Sequence, residues 1–170
     1  MMNQQFLEQQ LSEHFTLRTM VATGAAIRLG IDNIPAPGHI DSLRQLCTDI
    51  LEPLWHRFGT VRIVRAYCSE ELSTAMKQQS PAHTTTPVTL VTGTTTPITT
   101  RQHTTGRAAD IHMASLRQAQ RWADYARQQH LPFDTLTIER HMGNGCCLLH
   151  ISHTTPVTSV TGTNTPARHE

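Results

Sequence analysis

A histidine and an aspartate on either side of a glycine are the residues of this sequence best placed to do chemistry. His103 and Asp110 lie in the stretch RQHTTGRAAD (residues 101–110), where Gly106 permits a turn. An imidazole and a carboxylate can both bind a metal ion, but zinc needs at least three protein ligands and an open position for catalysis. The best third candidate is His150, in the apolar segment CLLHIS (residues 147–152), which predicts a buried strand with one polar residue pointing inward.

Other histidines could replace or assist this set. His112 follows Asp110 by two residues and faces the same side of a strand, so it is an alternative ligand or a partner of one. His141 and His153 are weaker alternatives. For His150 itself, the competing interpretation is an ordinary core histidine with satisfied hydrogen bonds.

Length and charge restrict the classes of function. The 170 residues fit one domain that can bury a core without disulfides. A formal net charge of +1 and a charged fraction of 16% give no strong field, so we predict neither a nucleic-acid nor a membrane partner. The N-terminus MMNQQ lacks a basic region followed by an apolar one. The sequence therefore predicts a chain without a signal peptide, cytoplasmic at synthesis.

Cysteine usage does not indicate a metal-binding knuckle. The four cysteines form no CxxC pair, and the adjacent Cys146 and Cys147 would point to opposite faces of a strand. We therefore predict buried, reduced thiols.

Hydrophobic periodicity and capping residues predict an α+β domain. Helices are expected over about 5–14, 16–29, 40–57 and 69–79 and from Ser115 onward, with a kink or local adjustment at Pro53. Strands are expected over 60–67, 133–140 and 146–153, the last two joined by the turn MGNG. Helices first and a small, mainly antiparallel sheet later are typical of this class.

A Thr/Pro-rich segment occurs twice. PVTLVTGTTTP (residues 87–97) returns as PVTSVTGTNTP (residues 156–166). We predict one domain over 1–153 with an insertion at about 83–100, followed by an arm over 154–170 that repeats the insertion. Each copy is interpreted as an edge strand or hairpin arm that pairs with the other copy, docks a partner or mediates self-assembly. The alternative is a pair of mobile surface segments.

The order of these features resembles the zinc D-alanyl-D-alanine carboxypeptidase family, peptidoglycan peptidases related in fold to the hedgehog signalling domain. FTLR (15–18) is similar to the family's entry helix, GIDNIP (30–35) to its loop, and residues 43–59 to its long helix. The most specific match is QHTTGRAAD (102–110), which resembles the signature Ser-x-His-x-x-Gly-x-Ala-x-Asp with Arg101 in place of the serine. His150-Ile151-Ser152 is similar to the closing His-Val-Ser strand.

The resemblance implies a hedgehog/D-Ala-D-Ala peptidase-like fold in which His103, Asp110 and His150 bind Zn²⁺. Such a ligand set leaves the ion positively charged, so that it can acidify a water molecule and polarise a scissile carbonyl. Glu139 matches the family's acidic position before the last ligand and is the candidate general base, with a solvated strand-end carboxylate as the alternative.

Two departures from the family affect catalysis. The family's turn arginine, which stabilises negative charge, falls at Cys68, so Arg65 or Arg107 would have to supply the substrate-binding cation. Family members also place a glutamate, histidine or tryptophan two or three residues before the last ligand, where this chain has Cys147 and Leu148.

Two functional hypotheses follow from the resemblance. The first is a zinc peptidase that cuts peptidoglycan stem peptides, of the carboxypeptidase or phage endolysin type, carried on a virion or released on lysis. The second is a structural or cell-wall-binding protein, such as a phage tail or virion component, that keeps the fold but has lost turnover. The intact ligand set favours the first, whereas Cys68, Leu148 and the Thr/Pro repeats favour the second.

Overall fold

Within the residues that the structure describes, five strands form an antiparallel sheet that carries the polar residues of interest. The computed structural model describes residues 4–79, 87–88, 100–140 and 147–154. The strands follow the order β1-β3-β5-β4-β2, with bounds β1 Ile63–Arg65, β2 Pro87–Val88, β3 Ala108–Met113, β4 Phe133–Arg140 and β5 Cys147–His153. Helices and an antiparallel sheet together confirm the predicted α+β class.

Strand register separates a polar face from an apolar one. Asp110 in β3 is paired with His150 in β5, while Ile111 is paired with Leu149 one position further along. Because successive residues of a strand alternate between faces, the first pair and the second pair lie on opposite sides of the sheet. All four residues are buried. The sheet thus buries polar groups on one face and apolar groups on the other.

Several helices pack against this sheet. The bounds of the described helices are α1 Gln4–Leu7, α2 Leu17–Val21, α3 Gly24–Leu29, α4 Pro37–Leu46, α5 Glu52–Phe58, α6 Glu70–Gln79, α7 Thr100–Thr104 and α8 Leu116–Gln128, with a π-helical turn at Cys47–Leu51 between α4 and α5. The helix predicted from Ser115 onward is confirmed as α8, which buries Ala119, Trp122, Ala123 and Ala126. Among the described helices, none is long and apolar enough to cross a membrane.

The N-terminal helices differ from the prediction. The first helix ends at Leu7 instead of continuing to residue 14. The predicted helix over 16–29 is two helices, because Thr16 caps α2 and Thr23 then caps α3 by accepting a hydrogen bond from the Ala26 amide. Thr23 therefore divides a segment whose apolar spacing alone predicts one continuous helix. Gly30 ends α3 in the left-handed conformation, at φ 63°.

The adjustment predicted at Pro53 takes the form of a π-helical turn. Residues 37–58 remain helical throughout, and the wider turn Cys47–Leu51 immediately precedes the proline. Proline lacks an amide hydrogen and clashes with the carbonyl four residues before it, so a wider turn lets the helix continue. The helix keeps a buried face through Leu46, Ile50 and Leu54.

The remaining predictions hold to different extents. The last two strands are confirmed, whereas the strand expected over 60–67 is only Ile63–Arg65. In the first repeat copy, Pro87–Val88 forms the edge strand β2 against β4; the rest of that copy, the second copy and the MGNG turn lie outside the described residues. Cys47, Cys68 and Cys147 are buried free thiols, as predicted, and Cys146 lies outside the described residues.

Gly106 fixes the path between α7 and β3, and we expect Gly106→Ala to destabilise the protein by at least about 2 kcal/mol. Its φ is 72°, and a Cβ there would lie 2.6 Å from the backbone oxygen of His39. Urea unfolding measures this loss. Gly38→Ala is the matched control because nothing lies within 4 Å of its Cβ position. Equal stabilities of the two variants would contradict this account of the turn.

Candidate metal centre

Three elements bring His103, Asp110 and His150 to one point. Asp110 and His150 are cross-strand partners in the antiparallel pair β3–β5, and directly opposed side chains have Cβ atoms about 5 Å apart. His103 arrives from α7, which the turn at Gly106 joins to β3. The sheet register therefore sets two of the three positions, and the short helix sets the third.

The three side chains converge in the protein interior. Asp110 Oδ1 lies 2.7 Å from His150 Nδ1 and 3.3 Å from His103 Nε2, and the two imidazole centroids are 5.2 Å apart. His103 is 1%, Asp110 4% and His150 0% exposed. Atoms bonded to one tetrahedral ion at zinc distances lie about 3.3 Å from each other. The cluster can therefore hold a metal ion, with one ligand atom from each residue.

The hydrogen bonding of His103 leaves its inner nitrogen in need of a cation. Nδ1 lies 2.7 Å from the carbonyl oxygen of Ala66 and donates its proton to it. In the neutral ring, Nε2 is then an acceptor, and it is buried with no hydrogen-bond partner although it lies 3.3 Å from the Asp110 carboxylate. Two acceptors that face each other in a buried site require a proton or a metal ion between them.

His150 is held in the same way by Gln102. The amide nitrogen of Gln102 donates to the hydroxyls of Thr135 and Ser152 at 3.1 and 3.0 Å, which turns its oxygen towards His150 Nε2 at 3.2 Å. With a metal ion bound, this acceptor would keep the proton of His150 on Nε2 and leave the Nδ1 lone pair for the ion; without one, Nδ1 is hydrogen-bonded to Asp110 Oδ1 at 2.7 Å. Outer contacts of this kind orient the ligands of metal sites.

Arg65 binds the outer oxygen of Asp110. Its Nε and Nη2 lie 2.8 and 2.7 Å from Oδ2, leaving Oδ1 for the two histidines. Burial alone would raise the pKa of Asp110, but its contacts with His103 and His150 and the charge of Arg65 hold that pKa well below its usual range. Asp110 is therefore ionised, the form in which a carboxylate binds metal.

A buried asparagine supports the segment on which His103 rests. Asn33 donates to the carbonyl oxygens of Val21 and Tyr67 and accepts from the amide of Ser69. These bonds fix the chain on either side of Cys68, whose amide donates to the carbonyl of His103 at 3.2 Å. The loop after β1 is thus tied to both α2 and the candidate centre.

The predicted catalytic and substrate-binding residues lie in different places. Glu139 is half-buried and pairs across the sheet with Leu148. Arg65 is engaged with Asp110, as described, and Arg107 donates to the carbonyl of Thr154 at 3.3 Å. Burial raises the pKa of the Cys68 thiol, so this residue carries no charge near neutral pH.

Two of the three alternative ligands, His112 and His153, are not part of the cluster. His153 is 2.9 Å from Asp49, and His112 does not belong to the group of ligand atoms formed by the other three residues. His141 lies outside the described residues. The sequence interpretation missed Gln102, which precedes His103 directly; its role depends on contacts with residues 32 or more positions away.

No protein-family model, curated protein or solved structure matches this chain. The geometry of its own residues therefore carries the functional interpretation.

Gln102→Ala should weaken metal binding about 10- to 100-fold, because His150 loses the acceptor that keeps its proton on Nε2. Titration of the metal-free protein with Co²⁺, followed by visible absorption, measures the affinity. Gln128→Ala is the control, since that glutamine is exposed at the end of α8. An affinity unchanged by Gln102→Ala would show that the amide does not orient His150.

Proposed function

We propose that this chain is a zinc-dependent peptidase-like protein with a hedgehog/D-Ala-D-Ala peptidase-like fold that acts on peptidoglycan stem peptides. The observation that carries the proposal is the convergence of His103, Asp110 and His150 around a point that needs a cation. The order of the same residues in the sequence, around the glycine turn, supports it.

The donor set favours zinc over hard cations. Two imidazoles and one carboxylate are typical catalytic zinc ligands, whereas Ca²⁺ and Mg²⁺ prefer oxygen alone. Zinc held there would polarise a substrate carbonyl and lower the pKa of a water molecule. Contacts with His103, His150 and Arg65 keep Asp110 ionised, and Ala66 and Gln102 orient the two imidazoles.

Glu139 is the proposed base, and the register of β4 puts it on the same face of the sheet as His150. Thr137 in β4 pairs with His150, and Glu139, two residues further, pairs with Leu148 on the same face. Glu139 thus lies opposite Leu148, at the position before the last ligand where members of the carboxypeptidase family have a glutamate, histidine or tryptophan. In the proposed reaction Glu139 takes a proton from water and returns it to the departing amine.

A second candidate function has its own support. The residue at the family's arginine position is the buried, neutral thiol of Cys68, and Arg65 is already paired with Asp110. Neither position therefore supplies a cation to stabilise the negative charge that develops on a substrate. Loss of such a hydrogen-bond donor typically slows an enzyme about a hundredfold or more. A cell-wall-binding or virion protein that retains zinc without turnover fits these features.

Zinc binding tests the centre that both functions share. We expect the His103→Ala variant to bind one equivalent of Zn²⁺ fewer than the natural chain, because the affinity of this site falls by more than about 100-fold. Elemental analysis after dialysis measures the stoichiometry, with His112→Ala as the matched histidine control. Zinc content unaffected by His103→Ala would contradict the site assignment and both functions.

Activity separates the two functions. A peptidase should release D-alanine from a peptidoglycan pentapeptide, and Glu139→Gln should slow that release about 10²- to 10⁴-fold while zinc content stays unchanged. Glu71→Gln, on the exposed side of α6, is the control. Bound zinc with no cleavage of pentapeptide or cross-linked stem peptides would overturn the peptidase and leave the binding protein.

A further inference from the structure

A second group of histidines and carboxylates lies on another part of the molecule. Glu13 and His14 belong to the loop between α1 and α2, whereas Glu52 and His56 stand one turn apart on α5. Their ligand atoms all lie within 4.8 Å of one another. None of these residues belongs to the centre at His103.

The spacing of the four side chains suits a single ion. Glu52 Oε2 lies 2.7 Å from His14 Nδ1 and 3.9 Å from His56 Nε2. His56 Nε2 is also 3.9 Å from Glu13 Oε2. Atoms that share a tetrahedral ion are about 3.3 Å apart, so small rotations of side chains would bring this group to coordination distance. The contacts at 3.9 Å are too long for hydrogen bonds.

Two of the four residues are held in place by contacts other than those among the ligand atoms. Glu52 is 8% exposed, and its Oε1 accepts hydrogen bonds from the hydroxyl of Ser12 at 2.6 Å and from the amide of His14 at 2.8 Å. Its second oxygen is thereby directed at the imidazoles. The His14 ring stacks on Trp55 with centroids 4.5 Å apart. One carboxylate and one imidazole are thus pre-oriented.

The other two residues are accessible to an arriving ion. The side chains of His56 and Glu13 are 60% and 71% exposed. His56 meets the His14 ring edge-on at 5.6 Å, so both imidazoles border the same space as the carboxylates. Such a site combines a fixed inner pair with an open outer pair, and an ion can enter from solvent without unfolding the chain.

We propose that Glu13, His14, Glu52 and His56 form a second metal site, specific for a divalent transition ion such as Zn²⁺, that clamps the loop at residues 12–14 to α5. Two imidazoles favour an ion of intermediate hardness, such as Zn²⁺, over the hard ions Ca²⁺ and Mg²⁺. Two carboxylates neutralise its charge. Because Glu13 and His14 are some 40 positions before Glu52 and His56, the ion cross-links distant parts of the chain and stabilises the folded state.

The test is a zinc titration of the full chain after chelator treatment, with affinity and stoichiometry measured by dialysis and elemental analysis. We expect His103→Ala to retain the second site. His56→Ala should lose one equivalent, and Glu13→Gln should bind that equivalent at least about tenfold more weakly. His130→Asn is the control because it removes another exposed histidine, and asparagine tolerates its φ of 50°.

Thermal unfolding with and without Zn²⁺ supplies an independent readout. In the His103→Ala background, zinc should raise the melting temperature, and adding His56→Ala should abolish that rise while circular dichroism shows a folded protein. Unchanged zinc stoichiometry and affinity in both His56→Ala and Glu13→Gln would overturn the proposal. So would a natural chain whose bound zinc disappears completely with His103→Ala.

Discussion

The candidate centre depends on one buried carboxylate shared between two imidazoles and a guanidinium. Asp110 is only 4% exposed, too little for water to replace these contacts, so its charge must be balanced inside the protein. Arg65 takes one oxygen, and His103 and His150 face the other. Removing any partner would leave a buried charge or a buried lone pair without compensation. The surrounding fold is therefore constrained to keep four chain segments in contact.

The architecture satisfies that constraint through backbone register. The β3–β5 pairing aligns Asp110 with His150, and the β1–β3 pairing aligns Arg65 with Asp110. A slip by one residue would send these side chains to the opposite, apolar face of the sheet. Burial of Ile111, Leu149 and Ile151 there makes such a slip costly. The hydrophobic core thus protects the geometry of the polar cluster.

How much could be predicted from the sequence depends on the range of the interaction. His103, Asp110 and His150 were identifiable because a local motif and a polar residue in an apolar strand both leave a sequence signal. Thr16, Ser69 and Ser115 cap α2, α6 and α8, and a capping residue at each of these positions let the start of the helix be predicted for the same reason. The break at Thr23 was missed because the apolar pattern continues across it, although a threonine followed by a glycine could have indicated a cap.

Contacts between distant segments left no comparable signal. Gln102 acquires its role only once β4 and β5 are assembled beside it. The pairing of His14 with Glu52 likewise requires a loop to fold onto α5, and neither residue was predicted as a ligand. Packing, which composition and periodicity do not encode directly, decides both.

X-ray absorption at the zinc edge tests the central claim most directly. The His56→Ala protein loaded with one equivalent of Zn²⁺ isolates the centre at His103. The account predicts nitrogen and oxygen neighbours at about 2.0–2.2 Å, including two imidazoles, and the loss of one imidazole in the additional variant His150→Ala. Sulfur at about 2.3 Å, or a spectrum unchanged by His150→Ala, would show that zinc binds elsewhere.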